Sequence, residues 1–440
     1  MKTMTSLCAL TLMAGLFAAS ASAEAVSYIP HQSTIPRLAN QAEVIVVGRL
    51  ARVENIQLGE AGIDFAMYPN RGTPARQDGE SGVRREAVIT VSQTLKGASH
   101  VTGSELRVVS MRQLKFDNYD ADLRGGEALF FCSPRSQDNR LIVLSDERGA
   151  ITAEDNAGNL TGAVEMARRF LTVGRFADLK PALLAGLTLN GGRVSLDACV
   201  ELAWNWEDYA AVMTPADKQL VLDKAKEATP GTEERVQLIH AVGRHKPDGA
   251  MNDLLGMIMS DSQFTTTSIA CWAMENIERR EAVNLFVGAF ASANASQRVL
   301  LVRALGLIHP KDWFEGAEVR QAACDCVAAL LVAGDETALR EALIAARNMW
   351  AGKELKAQLK NLIENRAHNG ISEEAVKGAI VALATHRTKT EQMGKTIEAV
   401  HERGYLNNLA TQDPALKQVV DCAILFPYST LITDTEGRLR

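Results

Sequence analysis

The residues best suited to chemistry sit in the phrase RVQLIHAVGRHKP, residues 235–247, which carries His240 and His245. Imidazole is both a metal ligand and a proton carrier near neutral pH, so a histidine pair is weighed first. On a helix of 3.6 residues per turn, five positions set the two rings about 140° apart. One ion does not easily use both. His309, His368, His386 and His401 stand singly near turns or in polar segments. The sequence has no H-E-x-x-H helix, no Gly-rich phosphate loop and no G-x-S-x-G elbow. It therefore offers no catalytic, cofactor-binding or metal-binding set, and the expectation is a protein without a cofactor.

The candidate binding residues are aromatic and basic. In ELAWNWEDYAAV, residues 201–212, Trp204 and Trp206 lie two positions apart and cannot both face the core of one helix. An exposed tryptophan is a good anchor for a peptide or protein partner. Glu201, Glu207 and Asp208 read as a solvated helix face, because paired carboxylates need convergent geometry before they act as acid and base. Arg71 and Arg76 lie in a long polar stretch, GEAGIDFAMYPNRGTPARQDGESG, and would suit an anionic partner; the composition equally describes a connector.

The elements that must hold these residues begin after an export leader. Lys2, the apolar run LCALTLMAGLFAA and the small-residue ASA predict cleavage near Ala23 and an exported, periplasmic or secreted chain. The apolar run is shorter than the ~20 residues a membrane-spanning helix needs. The formal net charge of −6 and the lack of a basic stripe argue against nucleic acid as a partner. Cys132, Cys199, Cys271, Cys324, Cys326 and Cys422 remain after the leader. They are too few for a disulfide-framed fold and mostly sit in apolar surroundings, which leaves buried thiols and occasional disulfides both open.

From Ala42 to about Ile151 the periodicity is that of strands: AEVIVVGRLARVENI, EAVITVSQTLKG, SELRVVSM, EALFFCS and RLIVLS, separated by Gly, Asp, Asn and Pro. A short helix, STIPRLANQA, precedes them, with Ser33 or Thr34 as its cap and Pro36 in its first turn. Five such strands predict a small closed or partly open barrel.

After about Leu160 the period becomes helical. Met251, Leu254, Leu255, Ile258 and Met259 share one helix face; Val283, Phe286, Val287 and Phe290 repeat the pattern. The phrase at 235–247 recurs as RVLLVRALGLIHP at 298–310, an offset of 63 residues. A weaker copy, TSIACWAMENIERR, lies between them, with Ala241, Ala273 and Ala304 in register. A period near 31 residues is that of a two-helix repeat, and its histidines are what the other copies lack.

Two resemblances extend this reading. AEVIVVGRL, VSQTLKG and GGEALFFC resemble the OB-fold barrels of bacterial secreted domains related to netrin and the tissue inhibitors of metalloproteases. The resemblance implies protease-inhibitor activity; that family chelates the protease metal through an N-terminal cysteine, which this chain lacks after the leader. The helical region resembles the short HEAT-like repeats of phycobilisome-lyase-related proteins. The expected fold is multidomain, α and β: signal peptide 1–23, OB-like β-barrel 24–160, HEAT-like α-solenoid of helical hairpins 161–426 and a C-terminal tail 427–440. The leading expectation is an exported, non-enzymatic protein-binding or scaffold protein, its partner a protein or peptide. The alternatives are a secreted protease inhibitor acting through the barrel and a lyase-like enzyme on the repeats.

Overall fold

The computed structural model describes residues 33–57, 83–109, 126–134, 140–144, 149–153, 160–189, 191–308, 317–332, 335–349, 352–366, 371–392 and 394–425. The leader, Arg71, Arg76, His309, His368, Trp313, Trp350 and residues 427–440 lie outside them. The chain divides into two compact units, Tyr28–Lys224 and Ala225–Arg440.

In the first unit, helix α1 (Ile35–Gln41) leads into strands β1 (Val44–Gln57), β2 (Val83–Lys96), β3 (Glu105–Val109), β4 (Ala128–Pro134), β5 (Leu141–Val143) and β6 (Ala150–Thr152). The sheet runs β1-β2-β3-β5-β4-β6, and β1 also pairs with β4. All ladders are antiparallel except that between β3 and β5, a single parallel pair, Val109 with Ile142. With that link so thin, the sheet curls into a partly open barrel. Val44, Val46, Ile89, Leu106, Val108 and Phe130 fill its inside. The alternate residues Ile45, Val47, Leu129, Phe131 and Ile151 are buried too. This two-sided burial explains why the start of β1 reads as a continuous apolar run and not as an alternation.

Helices α2 (Thr161–Val173), α3 (Lys180–Gly186) and α4 (Arg193–Trp204) follow. Among them, α1 packs on α2, and α2 and α3 pack on α4. A short 3-10 turn, Phe176–Leu179, precedes α3, and another, Trp206–Asp208, follows α4. Helix α5 (Pro215–Glu227) contains the boundary between the units.

The second unit is helical throughout its described residues: α6 (Glu233–His245), α7 (Ala250–Ser260), α8 (Phe264–Phe290), α9 (Ala295–Leu307), α10 (Ala317–Leu331), α11 (Glu336–Asn348), α12 (Lys353–Glu364), α13 (Glu373–Gln392), α14 (Thr396–Gln412) and α15 (Lys417–Leu425). An extended residue, Glu278 (φ −160°, ψ 101°), divides α8 into 264–277 and 279–290. The three copies of the repeated phrase fall on α6, the first half of α8, and α9. These helices pack in that order, α6 on α8 and α8 on α9, and the row continues through α11, α13 and α15. Helices α10 and α12 pack on each other as a second row, and Lys356 of α12 pairs with Glu402 of α14.

Glycine sets the spacing within the first row. A Cβ on Gly243 of α6 would stand 2.7 Å from the Cα of Ala273 in α8, and one on Gly306 of α9 would stand 2.7 Å from the Cα of Ala345 in α11. The same backbone-to-backbone approach thus occurs twice along the row.

Candidate binding site

The two tryptophans mark the end of α4. Trp204 is its last residue and is 40% exposed; Trp206 opens the following 3-10 turn and is half-buried. The expectation that one of them reaches the surface fits this arrangement. Glu207 and Asp208 of the turn are exposed. Glu201, one turn back in α4, is not on a solvated face: it is fully buried. Of the three acids only Glu201 departs from the expected solvated face, because the sequence does not display the cation that draws it inward.

That cation comes from α1. Arg37 donates to Glu201 through Nε and Nη2, each at 3.1 Å, and its Nη2 also bonds Asp208. The guanidinium lies 3.6 Å from the centre of the Phe176 ring. Glu201 also accepts hydrogen bonds from Tyr209 Oη, at 2.9 Å, and from Thr34 Oγ1. Burial would lower the pKa of Arg37, but the hydrogen bond and charge of Glu201, then the bond to Asp208, outweigh it and the pKa is raised. Burial, reinforced by the negative charge of Glu201, pushes the Tyr209 phenol far up, so it stays a donor.

One turn before Glu201, Asp197 serves the same helix end. Its Oδ2 accepts the backbone N–H of Ile35 at 2.7 Å, and its Oδ1 accepts from Arg193 Nε at 2.6 Å. Arg193 also bonds the carbonyl of Ser33. Thr34 does occupy the N-cap of α1, yet makes no side-chain cap bond. Its hydroxyl goes to Glu201, and the first N–H of the helix is satisfied by Asp197 instead. Burial raises the Asp197 carboxyl to about 6 against the opposing pull of Arg193.

A separate groove of about 580 Å3 runs between the sheet and the start of α2. Val47, Ala153, Leu160 and Val164 provide apolar lining. Arg49, Glu127, Glu165 and Arg168 add both charges, with Glu165 and Arg168 paired at 3.2 Å. With Gln93 and Thr161 also in its lining, the groove is more polar than the mainly apolar lining usual for a ligand cleft.

The histidine pair belongs to the second unit. His240 and His245 are both buried, at 3% exposure. The His240 ring meets Trp272 edge-on with centroids 4.1 Å apart, and Arg244 stacks over the same indole at 4.9 Å. Positions 240, 272 and 303 of the repeat thus line the contacts between successive helices, where Arg303 clasps Glu341 at 3.1 and 2.7 Å. Burial, with the nearby Arg244 charge, lowers the His240 pKa to about 4, so the ring is neutral at pH 7. Among the described residues, no group of three or more His, Cys, Asp or Glu converges to hold a metal. Among the described cysteines, Cys132, Cys199, Cys271, Cys324 and Cys326 are buried and Cys422 is exposed. Burial pushes the Cys132 thiol up to about 12 and Cys326 to about 11.

Arg37, Arg193, Asp197 and Tyr209 went unnoticed in the sequence. The available signal was RVSLDACVELAW itself. Two acids four residues apart in a helix that is otherwise mostly apolar after Arg193 and Ser195 imply buried partners.

Compared with known protein families and with curated proteins, the chain matches none.

Proposed function

We propose that the protein is an exported, non-enzymatic binding or scaffold protein, with a HEAT-like helical stack as its main contact surface. The reading takes residues 1–23 as a leader removed near Ala23, the curled sheet as an OB-like barrel, and α6–α15 as hairpins stacked in series. The observation that carries it is the packing order of the second unit. Helices α6, α8, α9, α11, α13 and α15 touch in sequence, and Gly243–Ala273 and Gly306–Ala345 repeat one close contact along the row. Such stacks present long surfaces suited to protein or peptide ligands. Val332, Ile397, Val400 and Leu425 are large apolar side chains exposed on this unit, and Ile397 and Val400 neighbour each other one turn apart on α14. No helix among the described residues is long and apolar enough to cross a membrane.

The test is affinity capture of the tagged full chain from its own cells after crosslinking. One specific protein should be recovered with the native chain. Recovery should fall at least tenfold with Ile397→Asp and Val400→Asp together, while the melting temperature stays within about 2 °C, as expected for exposed positions. Recovery of nothing above an untagged control would remove the reading.

A further inference from the structure

We propose that the groove between the sheet and α2 is a binding site for a short peptide with both termini free, its carboxylate taken by Arg49 and its ammonium by Glu127. The inference concerns the first unit and does not rest on the helical binding surface, so the two fail separately.

The groove holds two kinds of charge, one matched and one not. On α2, Glu165 pairs with Arg168 at 3.2 Å and with Arg169 at 3.8 Å. On the sheet, Val47 and Arg49 stand two apart on β1, and Glu127 lies one step beyond the Gly48–Ala128 pair that joins β1 to β4. Opposite charges at facing positions of neighbouring strands ordinarily pair with each other. The side chains of Arg49 and Glu127 make no hydrogen bond or ion pair among the described residues, neither with each other nor with a third group. Arg49 is exposed and Glu127 half-buried, so both remain open to a ligand.

This charge pattern selects a zwitterion. A guanidinium takes a carboxylate through two parallel N–H···O bonds, and an ammonium offers its three donors to a carboxylate. A plain anion would satisfy Arg49 but meet the like charge of Glu127, and a plain cation would meet Arg49; a ligand carrying both ends satisfies the two together. The rest of the lining fits a peptide between those ends. Gln93 carries both a donor and an acceptor suited to a peptide bond, and Val47, Leu160 and Val164 offer contact for an aliphatic side chain. The volume of about 580 Å3 falls within the range of roughly 300–1,000 Å3 typical of small-ligand sites, which favours a peptide of few residues over a protein segment.

The experiment titrates the full chain by calorimetry with alanyl-leucine, its N-acetyl form and its C-terminal amide, up to the millimolar range at constant ionic strength. The free dipeptide should bind saturably, and each blocked form about tenfold more weakly, as expected for the loss of one charge-assisted contact. Arg49→Ala should remove the advantage of the free dipeptide over the amide, and Glu127→Gln its advantage over the N-acetyl form. Both variants should melt within about 2 °C of the native chain, as expected for substitutions away from the core. No saturable binding to the native chain, equal binding of free and blocked forms, or an advantage over the amide that survives Arg49→Ala would overturn the proposal.

Discussion

Two buried titratable side chains respond to acid in opposite senses. His240 is held to about 4, below the 6.5 of a free imidazole, by burial and then by Arg244. Its folded pKa is depressed, so its contribution is intact above about 6.5 and is lost as pH falls toward 4. By linkage the difference is about 3 kcal/mol. Asp197 is raised by burial from 3.8 to about 6. The folded chain binds that proton more tightly, so the contribution of Asp197 to the fold is fullest in acid and falls by about 3 kcal/mol as pH rises through 6, even though its bond from the Ile35 N–H favours the charged form. Hydrogen exchange followed from pH 7 to pH 4 separates the two, because local opening is read amide by amide. The α6 amides should lose protection and the α4 amides around Asp197 gain it. His240→Phe should flatten the first trend and Asp197→Asn the second; the same slopes in the variants would contradict these assignments. The bland role of His240 was legible from its repeat column, shared with Trp272 and Arg303. The burial of Glu201 was not, since its partner Arg37 lies 164 residues away in the chain.

At the level of elements, the close approach of rows predicts contrasting effects of one substitution type. Gly243→Ala adds a methyl where the Ala273 Cα would lie at 2.7 Å, whereas a Cβ on Gly256 of α7 meets nothing within 4 Å. Alanine gains about 1 kcal/mol of helix propensity at either position. Overpacking costs about 1–3 kcal/mol and outweighs that gain at Gly243. Denaturant unfolding should therefore find Gly243→Ala destabilised and Gly256→Ala stabilised; a stable Gly243→Ala chain would refute the tight row. The copies on α6 and α9 were visible in the sequence because their apolar residues and their Ala and Gly positions all repeat. The division within α8 was not, because no Gly or Pro marks Glu278. Strand β6 escaped notice because three residues, Ala150–Thr152, are too few to display an alternation. The long strands β1 and β2 were legible, although burial on both faces hid the period at the start of β1.

At the level of the molecule, the sequence was informative about the change from strands to helices, which falls between Thr152 and Thr161. Compactness follows another line, with α1 to α4 joining the sheet in a unit that ends at Lys224. The polar bonds from α1 to Asp197, Glu201 and Asp208 help to join these helices to the unit's N-terminal end. The most direct test places a photoreactive amino acid at position 397 or 400 of the full chain in its own cells, with position 256 as an exposed control lacking an apolar side chain. The account predicts a discrete adduct of one mass from 397 and 400 and none from 256. Absence of an adduct from both apolar positions, or the same adducts from all three, would contradict it.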